Sequence, residues 1–307
     1  MSVYRWVGVG SRVVLCAAAV SLAACEVNLN SEGIVARETK TFKVTGTPDV
    51  QLETFDGAIE VHSWDRNEVE VEIEKRAMEQ ALVDEIKVSA EQEGDRVVIK
   101  VTGPSRRDFE GIQIGMHVSP TARLRVALPR QSQLMAKSDD GSVSVEDVNG
   151  KIAVNTRDGS VRGTRLGGDI TIRSGDGSIR MDRIEGKIDL ETEDGSITLE
   201  AKPSVLRART SDGSIRMEVA EDSAMAEDWD VQTSDGSVTL KLPANFNGQL
   251  DAETRDGAVR ARHPGITDEA REGDDREERQ RTLRAKLGSG GRTIKVRSGD
   301  GTIRIES

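Results

Sequence analysis

The chain has 307 residues and a formal net charge of −11, with 54 acidic side chains against 43 lysines and arginines. That surplus of acid argues against nucleic acid as a partner and against electrostatic attraction to anionic membrane surfaces. With only two cysteines, Cys16 and Cys25, a disulfide framework is excluded.

The first element is a targeting segment. Arg5 and Arg12 precede the apolar run Val13–Val20, which is too short to span a bilayer as a helix. Leu22-Ala-Ala-Cys25 closes that run and resembles the lipobox of bacterial lipoproteins. The resemblance implies a signal peptide over 1–24, cleavage before Cys25, diacylglycerol on its sulfur and N-acylation with a fatty acid such as palmitate. Several acyl chains hold a protein to a bilayer far more firmly than one. Cys16 then leaves with the signal, and the mature chain has no pair of cysteines to join. Loss of Arg5 and Arg12 makes the mature chain more acidic still. By resemblance to enterobacterial sorting, Glu26 at the next position leans towards the outer membrane.

Residues 25–40 are polar and read as a tether, and 41–61 hold a first coil around Asp56-Gly57. The remainder of 41–133 is an irregular β-rich region. Glu68–Lys75 alternates as a strand, 77–85 suits a short helix, and 86–90 with 96–101 flank a Glu-Gly-Asp turn as a hairpin. Two more strands are predicted at 112–118 and 122–128, before Pro129. This region is expected to widen or cap the beginning of the regular stack.

From 134 onward the sequence repeats. Asp-Gly pairs begin at Asp140, Asp158, Asp176, Asp194 and Asp212, each 18 residues after the last, and continue at Asp235, Asp256 and Asp300. Fixed-period similarity is the signature of a solenoid. Six and four residues before each Asp stand apolar side chains such as Ile170 and Ile172, and two before it always Thr or Ser. After Asp-Gly the alternation resumes, as at Ile179 and Met181. Each coil therefore holds two short half-buried strands, with one corner at Asp-Gly and a second that often carries glycine, as at Gly150, Gly168, Gly186 and Gly248. Two corners half a period apart specify an all-β, two-walled parallel β-solenoid. Aliphatic side chains stack on their own kind, and the Thr/Ser column is expected to share hydroxyl hydrogen bonds. Outside, Arg173, Glu191 and Arg209 are neighbours of opposite charge.

Residues 263–291 interrupt the series with a dense run of charge and read as a solvated loop with a short helix, or a docking site. Thr293–Glu306 then form a last coil, so the repeat region covers 134–307.

Leu124-Arg-Val-Ala-Leu-Pro129, Leu134–Val145 and Val148–Val154 are similar to the bacterial putative-adhesin domain family of β-solenoids. The stretch 68–81 and the Gly-Gly-Arg-Thr-Ile-Lys ending fit it too, and the likeness covers roughly 40–306. It implies a solenoid fold and carries over no catalytic residue.

Asp139-Asp140 is the only Asp-Asp pair at an Asp-Gly corner, suited to acid/base work, calcium or ligand contact. Against that, Asp-Gly recurs in every coil as turn chemistry. A stacked Asp column also invites calcium, which a melt with chelator would test. His62, His117 and His263 show no ligand spacing, and no cofactor or metal motif is present. Trp229 falls on an inward column, whereas Phe246 in a lengthened corner is a candidate exposed contact. The expected function is non-catalytic binding or adhesion by a lipid-anchored envelope protein, with the membrane and an unidentified protein or polysaccharide as partners. The alternatives are a polysaccharide-active β-helix enzyme and a periplasmic accessory in envelope sensing.

Overall fold

The computed structural model describes residues 26–30, 33–104, 119–270 and 278–307. The signal segment, Cys25, His117 and the strand expected at 112–118 lie outside the described residues.

The alternating repeat builds two facing walls of parallel strands. Strands that precede Asp-Gly form the first wall, for example Asn149–Thr156 beside Gly167–Ser174. Strands that come after it form the second, for example Val161–Thr164 beside Ile179–Thr192. Successive coils keep register: Ile170 lies opposite Ile188, and Ile188 opposite Leu206. All three are at most 2% exposed. The period of two turns every second side chain into the space between the walls, where one continuous aliphatic core runs the length of the stack. Each fully buried Ile or Leu contributes about 1.5–3 kcal/mol by leaving water. Two strands, Ile179–Thr192 and Ile197–Thr210, run unbroken through the second corner. There Asp147, Arg165 and Arg183 adopt left-handed backbone with φ of 59°, 53° and 55°. Gly150, Gly168 and Gly186 come next at φ of 149°, 106° and 112°. Gly248, grouped with them by sequence, has no positive φ.

Stacking order departs from chain order at both ends. The last coil, Thr293–Glu306, is inserted between two earlier ones. Its strand Thr293–Ser298 pairs with Trp229–Thr233 on one side and Gly248–Thr254 on the other. Its strand Ile303–Glu306 likewise lies between Val238–Lys241 and Val259–Arg262. At the other end, Asp49–Thr54 and Ile59–Trp64 pair directly with the coil of Asp140. Outside them lie Arg96–Thr102 and Thr121–Pro129.

Both ends are closed by antiparallel strands, which cover edges that would otherwise recruit other chains. Glu68–Ala77 pairs with Thr121–Pro129, and Gly33–Lys43 pairs with Glu68–Ala77. Glu26–Asn30 completes that sheet as a hairpin partner of Gly33–Arg37. Much of the expected tether is therefore strand. Its charges made it read as solvated, yet they pair with neighbouring charges, Glu38 with Lys40 and with Lys75 at 3.2 Å each, while Val35 and Phe42 are buried. The helix Gln80–Glu85 and the hairpin of Lys87–Glu93 with Arg96–Thr102 match expectation.

At the far end, part of the charged interruption is ordered. Thr282–Leu287 adds antiparallel to Gly248–Thr254, and Ile266–Ala270 adds to it in turn. Leu283, Ala285 and Leu287 are at most 6% exposed and close the core. The segment is a cap as well as a charged surface, because its alternation buries every second side chain. No helix among the described residues is long and apolar enough to cross a membrane.

Candidate binding surface

The Asp-Gly corner is built by its Thr/Ser and its Gly. Thr210 Oγ1 accepts from the Gly213 N–H at 3.2 Å and donates to the Gly195 carbonyl of the preceding coil at 2.9 Å. Thr156, Ser174 and Thr233 repeat both bonds. Ser298 and Thr254 carry the column of donations through the inserted coil, to Gly236 and Gly301. The hydroxyls thus bond to glycine backbone rather than to one another. Gly159, Gly177, Gly195, Gly213 and Gly236 need no left-handed backbone. A Cβ at any of them would lie only 2.0 to 2.2 Å from the carbonyl oxygen of the corner glycine one coil back. Close approach, not φ, requires glycine here.

The Asp side chains are mostly left to solvent at the rim. Arg157 bonds to Asp140 and Arg255 to Asp300 at 2.5 Å, which offsets part of their mutual repulsion. Partial burial, and then the charge of Asp140, raise the Asp56 carboxyl above its ordinary pKa despite a bond from the Gly57 amide. Among the described residues, no three acidic, His or Cys side chains converge as metal ligands.

Asp140 is engaged by Arg157, and the Asp139 carbonyl accepts from the amides of Arg157 and Asp158. The pair therefore belongs to the turn architecture of one corner. Phe246 belongs to a coil near the other end and is only 4% exposed. Its ring lies 5.5 Å from that of Trp229, tilted by 47°. The lengthened corner folds inward to cover Trp229, so Phe246 is core and not the exposed contact expected. His263 is also buried, its Nε2 2.9 Å from the Pro243 carbonyl and its Nδ1 accepting from Gly265 N–H. His62 is exposed on the second wall.

The two outer faces differ in how their charges are used. On the first wall several arginines are paired: Arg173 with Asp189 and Glu191 at 2.9 Å each, Arg297 with Asp251 at 2.8 Å, and Arg209 with Asp230 rather than Glu191. On the second wall the position four after Asp carries Arg162, Arg180, Arg216, Arg304 and Arg260. None of these five has a side-chain hydrogen bond or ion pair among the described residues. Beside them runs a column of hydroxyls, Ser160, Ser178, Ser196 and Ser214, and on the other side a column of acids. Burial, with the neighbouring charge of Asp182, raises the Glu200 carboxyl above its ordinary pKa. Asp182 is held by Arg183 at 2.9 Å, and Glu146 by Arg165. Four shallow depressions with volumes of 300 to 400 Å³ lie along this wall, lined by these columns. The outward register of the second wall escaped the sequence analysis. Its signal was the recurring Ile-Arg-Met-Asp, Ile-Arg-Met-Glu and Ile-Arg-Ile-Glu of 179–182, 215–218 and 303–306.

Stacked coils, glycine corners and capped ends define a two-walled β-solenoid repeat protein. The Toastrack DUF4097 family matches residues 27–306, and the chain belongs to that family. Solved structures similar to it share little sequence. One is described as a putative adhesin from Bacteroides fragilis, 11% identical over 88% of this chain and 96% of that one, with a TM-score of 0.40. A putative cell adhesion protein from Clostridium sporogenes is 11% identical over 88% and 98%, with a TM-score of 0.27. A putative lipid binding protein from Parabacteroides distasonis is 12% identical over 88% and 97%, with a TM-score of 0.34. No curated protein matches the chain.

Proposed function

We propose that this chain is a bacterial cell-envelope protein, held to the outer membrane by lipid on Cys25, whose solenoid is a rigid, non-catalytic binding surface of the adhesion type. The observation that carries the reading is the second wall. It is a long, periodic polar face with shallow depressions, whereas the acids of the Asp-Gly corners stand mostly in solvent at the rim, with Asp140 and Asp300 paired to arginines. A stack fixed by backbone ladders loses little conformational freedom on binding, which favours presentation of a surface. Leu22-Ala-Ala-Cys25 supports the anchor. Glu26–Asn30 pairs into the end sheet immediately after Cys25, so lipid there would set that end of the stack beside the bilayer.

The test is protease treatment of intact and lysed cells that carry the chain, together with a surface-attachment assay. Expected are digestion on intact cells with loss of attachment, and release of the Cys25→Ala protein into the soluble fraction. Digestion only after lysis would contradict an outward-facing adhesin and would favour a periplasmic role.

A further inference from the structure

We infer that the second wall binds a linear acidic polysaccharide, its anions on the arginine column and its hydroxyls on the serine column. The inference rests on the proposed binding function and names the ligand class of that surface. Arg162 and Arg180 stand on adjacent coils, Arg216 two coils on, Arg304 two further, and Arg260 on the next. Six coil steps at ~4.8 Å make a stripe of roughly 29 Å.

Three features select the ligand. An arginine fork matches a carboxylate or sulfate in bidentate geometry, and these five forks are unoccupied by the protein's own acids. The acids beside them are partly committed elsewhere, Asp182 to Arg183 and Glu218 to Lys241 at 3.8 Å. The Ser196, Ser214 and Ser237 oxygens accept at 3.3 to 3.4 Å from amides of the next coil, which leaves each O–H free to donate outward. A ligand with spaced anions and many hydroxyls satisfies both columns. Dense polyanions such as nucleic acid fit less well, because the net charge of −11 opposes them. That repulsion is screened beyond about 8–10 Å at physiological salt, so the local column governs a sparser polymer.

The experiment measures retention of the full chain on immobilised polygalacturonate, neutral dextran and duplex DNA, alongside the attachment assay. Wild type should bind polygalacturonate, weaken with salt, and ignore dextran. Arg180→Ala/Arg216→Ala/Arg304→Ala should lose about tenfold in affinity. A control with the same charge change on the other side of the coils, Lys151→Ala/Lys187→Ala/Arg207→Ala, should stay within about twofold. The triple lysine variant at 180, 216 and 304 keeps charge without the fork and should fall between. Equal loss in both alanine triples would overturn the proposal, as would equal retention on DNA or occupation of the wall by a second copy in sedimentation. If wild type attaches to surfaces yet ignores polygalacturonate, the glycan inference fails and the binding reading stands. If it does neither, both fail.

Discussion

Replacing Gly195 with alanine isolates the contact that spaces the coils. Gly195 has no positive φ, so on backbone grounds alanine would be tolerated, and the stiffer unfolded chain would add about 0.4–1 kcal/mol of stability. The neighbouring coil reverses that sign. The new Cβ would lie 2.2 Å from the Gly177 oxygen, 2.6 Å from its carbonyl carbon and 2.8 Å from Thr192 Oγ1. Ordinary contact requires at least 3.4 Å, so the coils must part locally by about an ångström. The flanking bonds between these two coils, Glu193 N–H to the Gly175 carbonyl at 2.9 Å and Ile179 N–H to the Ser196 carbonyl at 3.0 Å, leave little slack for that movement. Two such buried bonds lost at about 1–3 kcal/mol each make Gly195→Ala destabilising by roughly 3–5 kcal/mol. Urea unfolding measures this as a lower midpoint at unchanged slope. A variant within about 1 kcal/mol of wild type would refute close packing as the reason for glycine.

Other predictions probe the core, a corner and the end sheet. Phe246→Ala should cost about 3–5 kcal/mol in denaturant unfolding, whereas a surface residue would cost under about 0.5 kcal/mol. Arg183→Asn should stabilise by a few tenths to about 1 kcal/mol in the same assay, because asparagine tolerates the left-handed corner and only the exposed pair with Asp182 is lost. Burial opposes ionisation of Glu74, but the Arg37 guanidinium bonded to it, with Arg125 and Arg76 nearby, wins and holds its carboxyl below the ordinary value. Its stabilisation is therefore full above the unfolded-state pKa and is lost as pH falls through the lower folded one. Thermal melts of Glu74→Gln against wild type should differ at neutral pH and converge in acid; a constant gap would contradict the assignment. Glu200 has the opposite sign. Glu200→Gln should raise the melting temperature at neutral pH, with the gain vanishing below the ordinary glutamate value.

What the sequence made legible was the coil. A strict 18-residue repeat fixes which side chains face inward, so Ile170, Ile188 and Leu206 could be stacked before any coordinates. Spatial order was not legible, because Thr293–Glu306 carries the same grammar as its neighbours and fits beside any of them. Nor was the fate of the charged segments. Leu283, Ala285 and Leu287 are spaced for a strand, but the surrounding acids and bases dominate a composition reading. Phe246 misled for a related reason: a corner flanked by asparagines reads as wet, while burial depends on Trp229, 17 residues earlier in the chain.

The central claim, a stack in register with the last coil inserted, is tested most directly by paired cysteines on outward positions of the first wall. Gln232 lies opposite Arg297, and Arg297 opposite Glu253. Neighbouring strands about 4.8 Å apart fall within disulfide reach, whereas strands two steps apart do not. Mass spectrometry of the oxidised full chain should find a crosslink in Gln232→Cys/Arg297→Cys and none in Gln232→Cys/Glu253→Cys. A crosslink in the second pair and its absence in the first would mean that coils stack in chain order, contrary to the architecture described.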